Sequence, residues 1–170
     1  MAQSPLSRVL IFICMAVALL LPPAAFADVE GEPKVIDART IEINGQQIRL
    51  WGIDAPDIDQ LCFTKKKHIP FRCGVVAIEK LQKLLSNQVI TCKGDKKDEE
   101  GRLIAVCYSG RVEVNENVVL SGWGVADPKQ TDKYNRAQGA AQNMRDGMWR
   151  SSFVMPWEWR AGNHEPPGKR

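Results

Sequence analysis

Six charged residues have types and spacings that suit chemistry on a phosphate ester: Asp37, Arg39, Arg49, Asp54, Asp57 and Arg102. Arg49 is followed five and eight residues later by the carboxylates of Asp54 and Asp57. Phosphoryl transfer needs guanidinium groups on the charged oxygens, a hard cation held by carboxylates and a base for water. We therefore expect the side chains of Arg49 and Arg102 to converge with Asp54 in one cleft.

A predicted β-hairpin positions the central arginine. Asn44-Gly45 is a strong hairpin signal, because both residue types tolerate positive φ. The flanking segments, residues 40–43 and 47–51, alternate between apolar and polar side chains. This alternation predicts one buried face made of Ile41, Ile43, Ile48 and Leu50. Arg49 then points away from that face.

Three segments are predicted to be helical. Residues 73–86 place their apolar side chains on one stripe, and residues 131–146 do the same with Met144 toward the core. A short helix is expected over residues 115–121, and Gly147 stands where a helix stop is expected. Strands precede and follow the first helix, so the order predicts an α+β fold: a small five-stranded oligonucleotide-binding-type β-barrel with about three helices.

The N-terminus has the three-part layout of a secretory signal. Arg8 is the only charged residue before residue 28, an apolar run of 13 residues spans positions 9–21, and Ala25-Phe26-Ala27 forms a small-x-small site. Thirteen apolar residues are too few for a membrane-spanning helix, which needs about 20. We predict a signal peptide and export to the periplasm or the medium.

The remaining sequence is predicted to form one domain. The chain has 170 residues, of which 44% are apolar, which is typical of a folded protein, and its formal net charge of +3 is too small to indicate nucleic-acid binding by itself. After a signal peptide over residues 1–27 we expect a short polar leader over residues 28–33. The domain would span residues 28–160 and a polar tail residues 161–170. We expect a monomer with no membrane span once the signal is removed.

Cleavage would leave four cysteines, which in an exported chain indicate disulfides. Four cysteines allow three connectivities. Proximity in sequence favours Cys62–Cys73, and Cys92 and Cys107 lie on predicted strands where they can bridge neighbours. A zinc site that includes His68 is the alternative, but the ten-residue gap between Cys62 and Cys73 matches no compact ligand pair. Two disulfides are the prediction.

Two further features each allow two interpretations. The run Lys65-Lys66-Lys67 could contact nucleic acid, or it could be a solvated loop held by a disulfide. Trp149, Trp157 and Trp159 could stack on bases or sugars, or they could pack the end of the chain against the barrel. The second interpretation is preferred for both features.

Three stretches resemble the signature segments of staphylococcal-nuclease-like (thermonuclease) domains: VIDART at 35–40, IRLWGIDAPD at 48–57 and GRLIA at 101–105. The resemblance continues at residues 115–122 and 147–149, so it covers about residues 34–150. The four cysteines are also placed as in exported bacterial members. The resemblance implies an oligonucleotide-binding-type barrel and calcium-dependent cleavage of DNA or RNA phosphodiesters.

The resemblance also implies roles for individual residues. Arg49 would contact the phosphate and stabilise its developing charge, and Arg102 would do likewise and assist the leaving oxygen. Asp54 would ligate calcium, and Asp37 matches the outer acidic residue of the first stretch. Asp57 stands where the family has a glutamate that acts as, or orients, a base for the attacking water.

Two departures from the family pattern leave two hypotheses. Arg39 replaces a calcium-ligating carboxylate, and a guanidinium has no lone pair to offer and stays protonated. Asp57 is one methylene shorter than the family's glutamate. The first hypothesis is an exported phosphodiesterase (an endonuclease on DNA or RNA), or a weakened descendant, with Arg49, Asp57 and Arg102 catalytic and Ca²⁺ on Asp54 and Asp37.

The second hypothesis is a catalytically inactive accessory module. The head of Arg39 would occupy the cation position and pair with Asp54 or Asp37, while Arg49 and Arg102 bind a phosphate or another anion of a polymer. Exported members of the family include one grouped with succinoglycan-type exopolysaccharide biosynthesis, and this chain is similar to it in size and export signal. The residues themselves give no sign of chemistry on sugars.

Overall fold

The computed structural model describes residues 28–165 as a mixed α+β domain. The predicted signal peptide, residues 1–27, and the end of the predicted tail, residues 166–170, lie outside the described residues. The helices within the described range are α1 (Cys73–Leu85), α2 (Val114–Leu120), α3 (Asn135–Met144), a 3-10 helix (Gly147–Arg150) and α4 (Pro156–Arg160). The α+β class is confirmed, with one α-helix more than the three expected.

Twelve strands, most of them short, are found in the same range. They are β1 (Val29–Gly31), β2 (Lys34–Asp37), β3 (Thr40–Ile43), β4 (Gln46–Leu50), β5 (Ile53–Asp54), β6 (Leu61–Thr64), β7 (Pro70–Arg72), β8 (Ile90–Lys97), β9 (Leu103–Ser109), β10 (Val112–Glu113), β11 (Val125–Ala126) and β12 (Ser151–Ser152).

The main sheet has the strand order β1-β8-β9-β4-β3-β2, with β10 also paired to β9. The β4–β9 pair is parallel and the others are antiparallel. No ring of hydrogen-bonded strands closes among the described residues, but the two end strands, β1 and β2, are separated in the chain only by Glu32 and Pro33. If they are taken as one interrupted strand, the path has the five segments expected of an oligonucleotide-binding-type fold.

The prediction that residues 28–33 form only a polar leader is wrong. Residues 29–31 form β1 and pair with residues 90–92 of β8, although their composition is polar. Pairing through the backbone does not require apolar side chains, which is why composition missed this strand. Pro33 lies in the gap between β1 and β2, where its missing N–H breaks no ladder.

The predicted hairpin is present between β3 and β4. Asn44 and Gly45 have φ values of 52° and 79°, so both adopt the left-handed conformation that the sequence signal implied. The four apolar side chains predicted to share one face have no solvent exposure: Ile41, Ile43, Ile48 and Leu50. The alternation therefore fixes which face of this hairpin is buried and leaves Arg49 on the other.

The helices confirm most of the predicted periodicity. Helix α1 buries Ala77 and Leu81, and α3 buries Ala137. Met144 was predicted to face the core but is 72% exposed. The reason is that α3 ends at Met144, and Arg145 adopts a left-handed φ of 57° that turns the chain before Gly147.

Both predicted disulfides are present, which removes the zinc alternative. Cys62–Cys73 joins β6 to the start of α1, and Cys92–Cys107 joins directly opposite residues of β8 and β9. All four cysteines are buried. Two buried disulfides indicate an oxidising environment of the kind that exported proteins meet. Within residues 28–165, none of the helices has the length and apolarity needed to cross a membrane.

Candidate functional site

The turn between β2 and β3 presents the side chain of Arg39. The backbone N–H of Arg39 donates a hydrogen bond to Oδ1 of Asp37, at 2.8 Å. Asp37 thereby fixes the turn, and its carboxylate binds backbone rather than a neighbouring side chain. The Arg39 side chain is only 11% exposed, so its guanidinium is held inside the protein.

Asp54 is the buried carboxylate at the centre of the site. It ends β5, which pairs with β11, and its side chain is 5% exposed. Oδ1 accepts a hydrogen bond from the backbone N–H of Ala55 at 2.9 Å and a second from Nη1 of Arg39. Oδ2 accepts a hydrogen bond from Nη2 of Arg160, the last residue of α4.

Asp57 completes the cluster from the loop after β5. Its Oδ1 lies 3.0 Å from Nη2 of Arg39, and its Oδ2 lies 3.4 Å from Nη1 of Arg160. Each arginine therefore bridges the two carboxylates, and each carboxylate bridges the two arginines. We call this closed arrangement of Arg39, Asp54, Arg160 and Asp57 the ion-pair ring.

Arg49 lies beside the ion-pair ring with a much poorer set of partners. It is on β4, opposite Thr40 of β3 and Ile104 of β9, and its side chain is 18% exposed. Its one ionic contact among residues 28–165 is a 3.8 Å approach of Nη2 to Oδ1 of Asp54. Burial, followed by repulsion from the charge of Arg39, lowers the pKa of Arg49 to about 10.

Arg102 is near this cluster but its head is bound elsewhere. It precedes β9 and lies two residues before Ile104, the partner of Arg49, so both arginines belong to the same face of the sheet. Its Nε lies 2.7 Å from Asp98 and its Nη1 lies 2.9 Å from Glu100. Burial opposes ionisation of Asp98, but the hydrogen bonds from Arg102 outweigh it and lower the pKa of Asp98. The charge of Arg102 still contributes to lowering the pKa of Arg49.

The structure thus brings Arg39, Arg49, Asp54 and Asp57 together, with Asp37 and Arg102 at the margin. Arg160 was not predicted from the sequence to belong to this site. Burial of Arg160 favours the neutral form, but the hydrogen bond and charge of Asp54, together with the charge of Asp57, raise its pKa. Pro156 at the start of α4 is a helix-start signal, yet no local pattern indicates that a residue 106 positions after Asp54 contacts it.

Calcium fits this donor set poorly. Calcium is bound by six to eight oxygen ligands, of which carboxylates are the strongest. Both oxygens of Asp54 and both oxygens of Asp57 already accept hydrogen bonds from guanidinium groups. Within the described part of the chain, no three His, Cys, Asp or Glu side chains are grouped so as to hold a metal ion.

Comparisons with known proteins agree with the fold. A family model described as staphylococcal nuclease homologue matches residues 47–151, more than half of the chain. The chain is also 30% identical, over 141 residues, to the succinoglycan biosynthesis protein ExoI of Rhizobium meliloti (strain 1021), covering 81% of this chain and 73% of that relative. Arg39 and Arg160, which bridge the two carboxylates, both lie outside the matched segment. This chain belongs to the staphylococcal nuclease homologue family.

Proposed function

We propose that this protein is an exported, nuclease-family module that binds an acidic polymer through Arg49 and does not hydrolyse phosphodiesters by a calcium-dependent route. One observation carries the proposal. The two carboxylates that could ligate a cation or activate water are bridged on both sides by Arg39 and Arg160, whereas Arg49 has no close acceptor of its own among the described residues.

The ion-pair ring works against hydrolysis in two ways. A general base needs a lone pair directed at the attacking water. Both oxygens of Asp57 are instead directed at the positively charged guanidinium groups of Arg39 and Arg160. The same charges repel a divalent cation. The ring thus takes the place that a metal ion would hold between the carboxylates.

Arg49 remains suited to an anion. Its pKa is lowered because it is partly desolvated and lies close to like charges, so a bound anion would stabilise its charged form. Guanidinium groups bind carboxylate and phosphate oxygens through paired hydrogen bonds. Because its pKa stays near 10, Arg49 is cationic at neutral pH. The expected ligand is therefore an anion that reaches the cleft without an accompanying metal.

The compartment of the protein and its biological role are proposed from three observations. The two disulfides suit an oxidising compartment, and the first 27 residues have the layout of an export signal. The relative ExoI is named for succinoglycan biosynthesis. We extend to this chain an accessory role in the synthesis of an exported acidic polysaccharide.

The test combines hydrolysis and binding measurements on purified protein. Single-stranded DNA and RNA are incubated with wild type, Arg39→Asp and Arg49→Ala, with calcium or with a chelator. Binding of acidic polymers is measured for wild type, Arg49→Ala and the matched control Arg136→Ala, which removes an exposed arginine of α3. We expect no calcium-stimulated cleavage by wild type, and binding that weakens in Arg49→Ala and with added salt but not in Arg136→Ala.

Two results would contradict the proposal. Calcium-stimulated cleavage by wild type that disappears in Arg49→Ala would establish the phosphodiesterase instead. Equal binding by wild type and a folded Arg49→Ala would remove the anion site. Cleavage by Arg39→Asp alone would support the proposal, because it would show that the arginine is what disables the metal position.

A further inference from the structure

A cavity of about 220 Å³ opens directly beside Arg49. It lies between the β4–β5 region, the loop that begins at Asp127, and helix α4. Trp157 and Arg160 of α4 form one wall, and both lie beyond the segment that the family model matches. This wall is therefore supplied by a part of the chain that the family comparison does not cover.

The charges around the cavity favour an anionic ligand. Its two carboxylates already accept strong hydrogen bonds: Asp54 from guanidinium groups, and Asp127 from the backbone N–H of Lys129 at 3.0 Å and from Nε2 of Gln130 at 2.7 Å. The side chain of Lys129 is exposed and has no ionic partner within residues 28–165. Lys129 and Arg49 thus face the cavity with donors to spare.

The aromatic wall adds a second requirement, a ring-shaped ligand. Trp157 is half-buried: one part packs against the cluster around Met148 and Phe153, and another lines the cavity. An indole offers a flat apolar face with a polar edge, on which either a sugar ring or a base can lie. The prediction that the tryptophans pack the end of the chain is confirmed, because Trp159 is 8% exposed and both Trp149 and Trp157 pack against the cluster around Met148 and Phe153. Trp157 lines the cavity as well.

We propose that this cavity binds one acidic sugar unit of a polysaccharide, with the sugar ring on Trp157 and its acid group between Arg49 and Lys129. The inference rests on the proposed anion-binding function and specifies its ligand. Grooves for single-stranded nucleic acid combine a positive track with several aromatic side chains on which successive bases stack. Here one aromatic side chain lines the cavity, so it offers a stacking face to a single ring rather than to successive bases.

The test uses matched ligands. Binding to the full-length mature protein is measured for oligogalacturonate, for its methyl ester, which keeps the rings but loses the charge, and for oligothymidylate. The proteins are wild type, Arg49→Ala, Trp157→Ala, Trp157→Phe and the control Trp123→Phe, which changes a half-buried tryptophan of a different cavity. We expect wild type to bind oligogalacturonate more tightly than the other two ligands. The affinity for oligogalacturonate should fall about tenfold in Trp157→Ala, fall less in Trp157→Phe and stay unchanged in Trp123→Phe.

The outcomes separate this inference from the proposed function. If oligogalacturonate binding depends on Arg49 but is unchanged in both Trp157 variants, the sugar cavity is wrong and the anion site stands. If oligothymidylate binds more tightly than oligogalacturonate and depends on Trp157, the cavity accepts nucleic acid and the saccharide assignment is overturned. Equal binding of the methyl ester would overturn the acid requirement. If no anion binds in an Arg49-dependent way, both proposals fail.

Discussion

Nη1 of Arg160 lies 3.4 Å from Oδ2 of Asp57, although 103 residues separate them in the chain. Nη2 of the same guanidinium binds Asp54, so one side chain at the end of α4 connects the last helix to the loop that follows β5. The contact has a structural consequence besides its effect on the carboxylates. It holds α4 against Asp54 and Asp57, the same two carboxylates that hold the turn after β2 through Arg39.

Arg160→Ala should destabilise the protein. The change removes one guanidinium from the buried Asp54, which keeps Arg39 as a partner, and the Arg160 side chain is 35% exposed and partly screened by water. We therefore expect a loss of about 1–2 kcal/mol in the free energy of unfolding, below the range for a fully buried pair. Urea denaturation measures it.

Arg136→Ala is the matched control, because it removes an exposed arginine of α3. Its free energy of unfolding should stay within about 0.5 kcal/mol of wild type. Arg160→Lys should recover part of the loss, since one ammonium can pair with a carboxylate but lacks the fork that bridges two. If Arg160→Ala is no more destabilising than Arg136→Ala, the ion-pair ring contributes nothing to the stability of the fold.

Tyr134 should make the stability depend on pH in the alkaline range. Burial, then the hydrogen bond from its hydroxyl to Oε1 of Glu113 at 2.6 Å, raises the pKa of Tyr134 above its ordinary value. An unfolded tyrosine loses its proton near pH 10, so the unfolded state binds fewer protons than the folded state above that pH. The stabilising contribution is therefore complete below about pH 10 and is lost as the pH rises further.

Tyr134→Phe isolates this contribution. The variant should be less stable than wild type by about 2 kcal/mol at neutral pH, because a hydrogen bond to a charged acceptor is removed. Glu113 keeps its ion pair with Lys133, at 2.8 Å, so no carboxylate is left without a partner. The difference between the variant and wild type should shrink above pH 10 in urea denaturation. A difference that stays constant with pH would show that the phenol ionises normally.

Asn115 should be essential for joining α2 to the sheet. Its amide Nδ2 donates to the carbonyl oxygens of Trp51 and Ala105, at 2.9 and 3.1 Å, and its Oδ1 accepts from the backbone N–H of Cys107 at 3.0 Å. Asn115→Ala removes all three hydrogen bonds. The carbonyl of Ala105 still accepts from the backbone N–H of Trp51 at 2.8 Å, but the N–H of Cys107 and the carbonyl of Trp51 lose the partner that Asn115 supplies, so we expect a loss of about 3 kcal/mol.

Asn117→Ala is the control in the same helix, because Asn117 makes a single 3.4 Å hydrogen bond to the carbonyl of Glu113. Its thermal unfolding should be close to that of wild type, with a loss below about 1 kcal/mol. Asn115→Asp should not restore the stability, since a carboxylate cannot donate to the two carbonyl oxygens. Equal losses for the Asn115 and Asn117 variants would contradict the assignment.

The sequence predicted what is decided locally. The β3–β4 hairpin follows from Asn44-Gly45 and a period of two, and the face that Arg49 occupies follows from the same alternation. The Cys62–Cys73 disulfide follows from proximity in sequence. The hypothesis that Arg39 pairs with Asp54 came from one substitution in a recognised segment, and the geometry of the two side chains agrees with it.

What the sequence did not predict depends on tertiary packing. The partners of Arg160 are set by how α4 docks, and no spacing rule reaches across 106 residues. The pairing of Arg102 with Asp98 and Glu100 was also missed, because a charged turn gives no sign of which of its members will meet. The exposed Met144 shows the converse error, in which a period that holds along the helix was applied to its last residue, just before the chain turns at Arg145.

The interruption of the first strand at Pro33 also affects how the protein can fail. Residues 29–31 cover the backbone of Ile90, Thr91 and Cys92 in β8. If proteolysis removed residues 29–31, the backbone N–H and C=O groups of β8 would be free to pair with a strand of another molecule. Strand β1 therefore covers an edge of the sheet that could otherwise pair with another molecule, and we expect the loss of β1 to appear first as aggregation rather than as a loss of ligand binding.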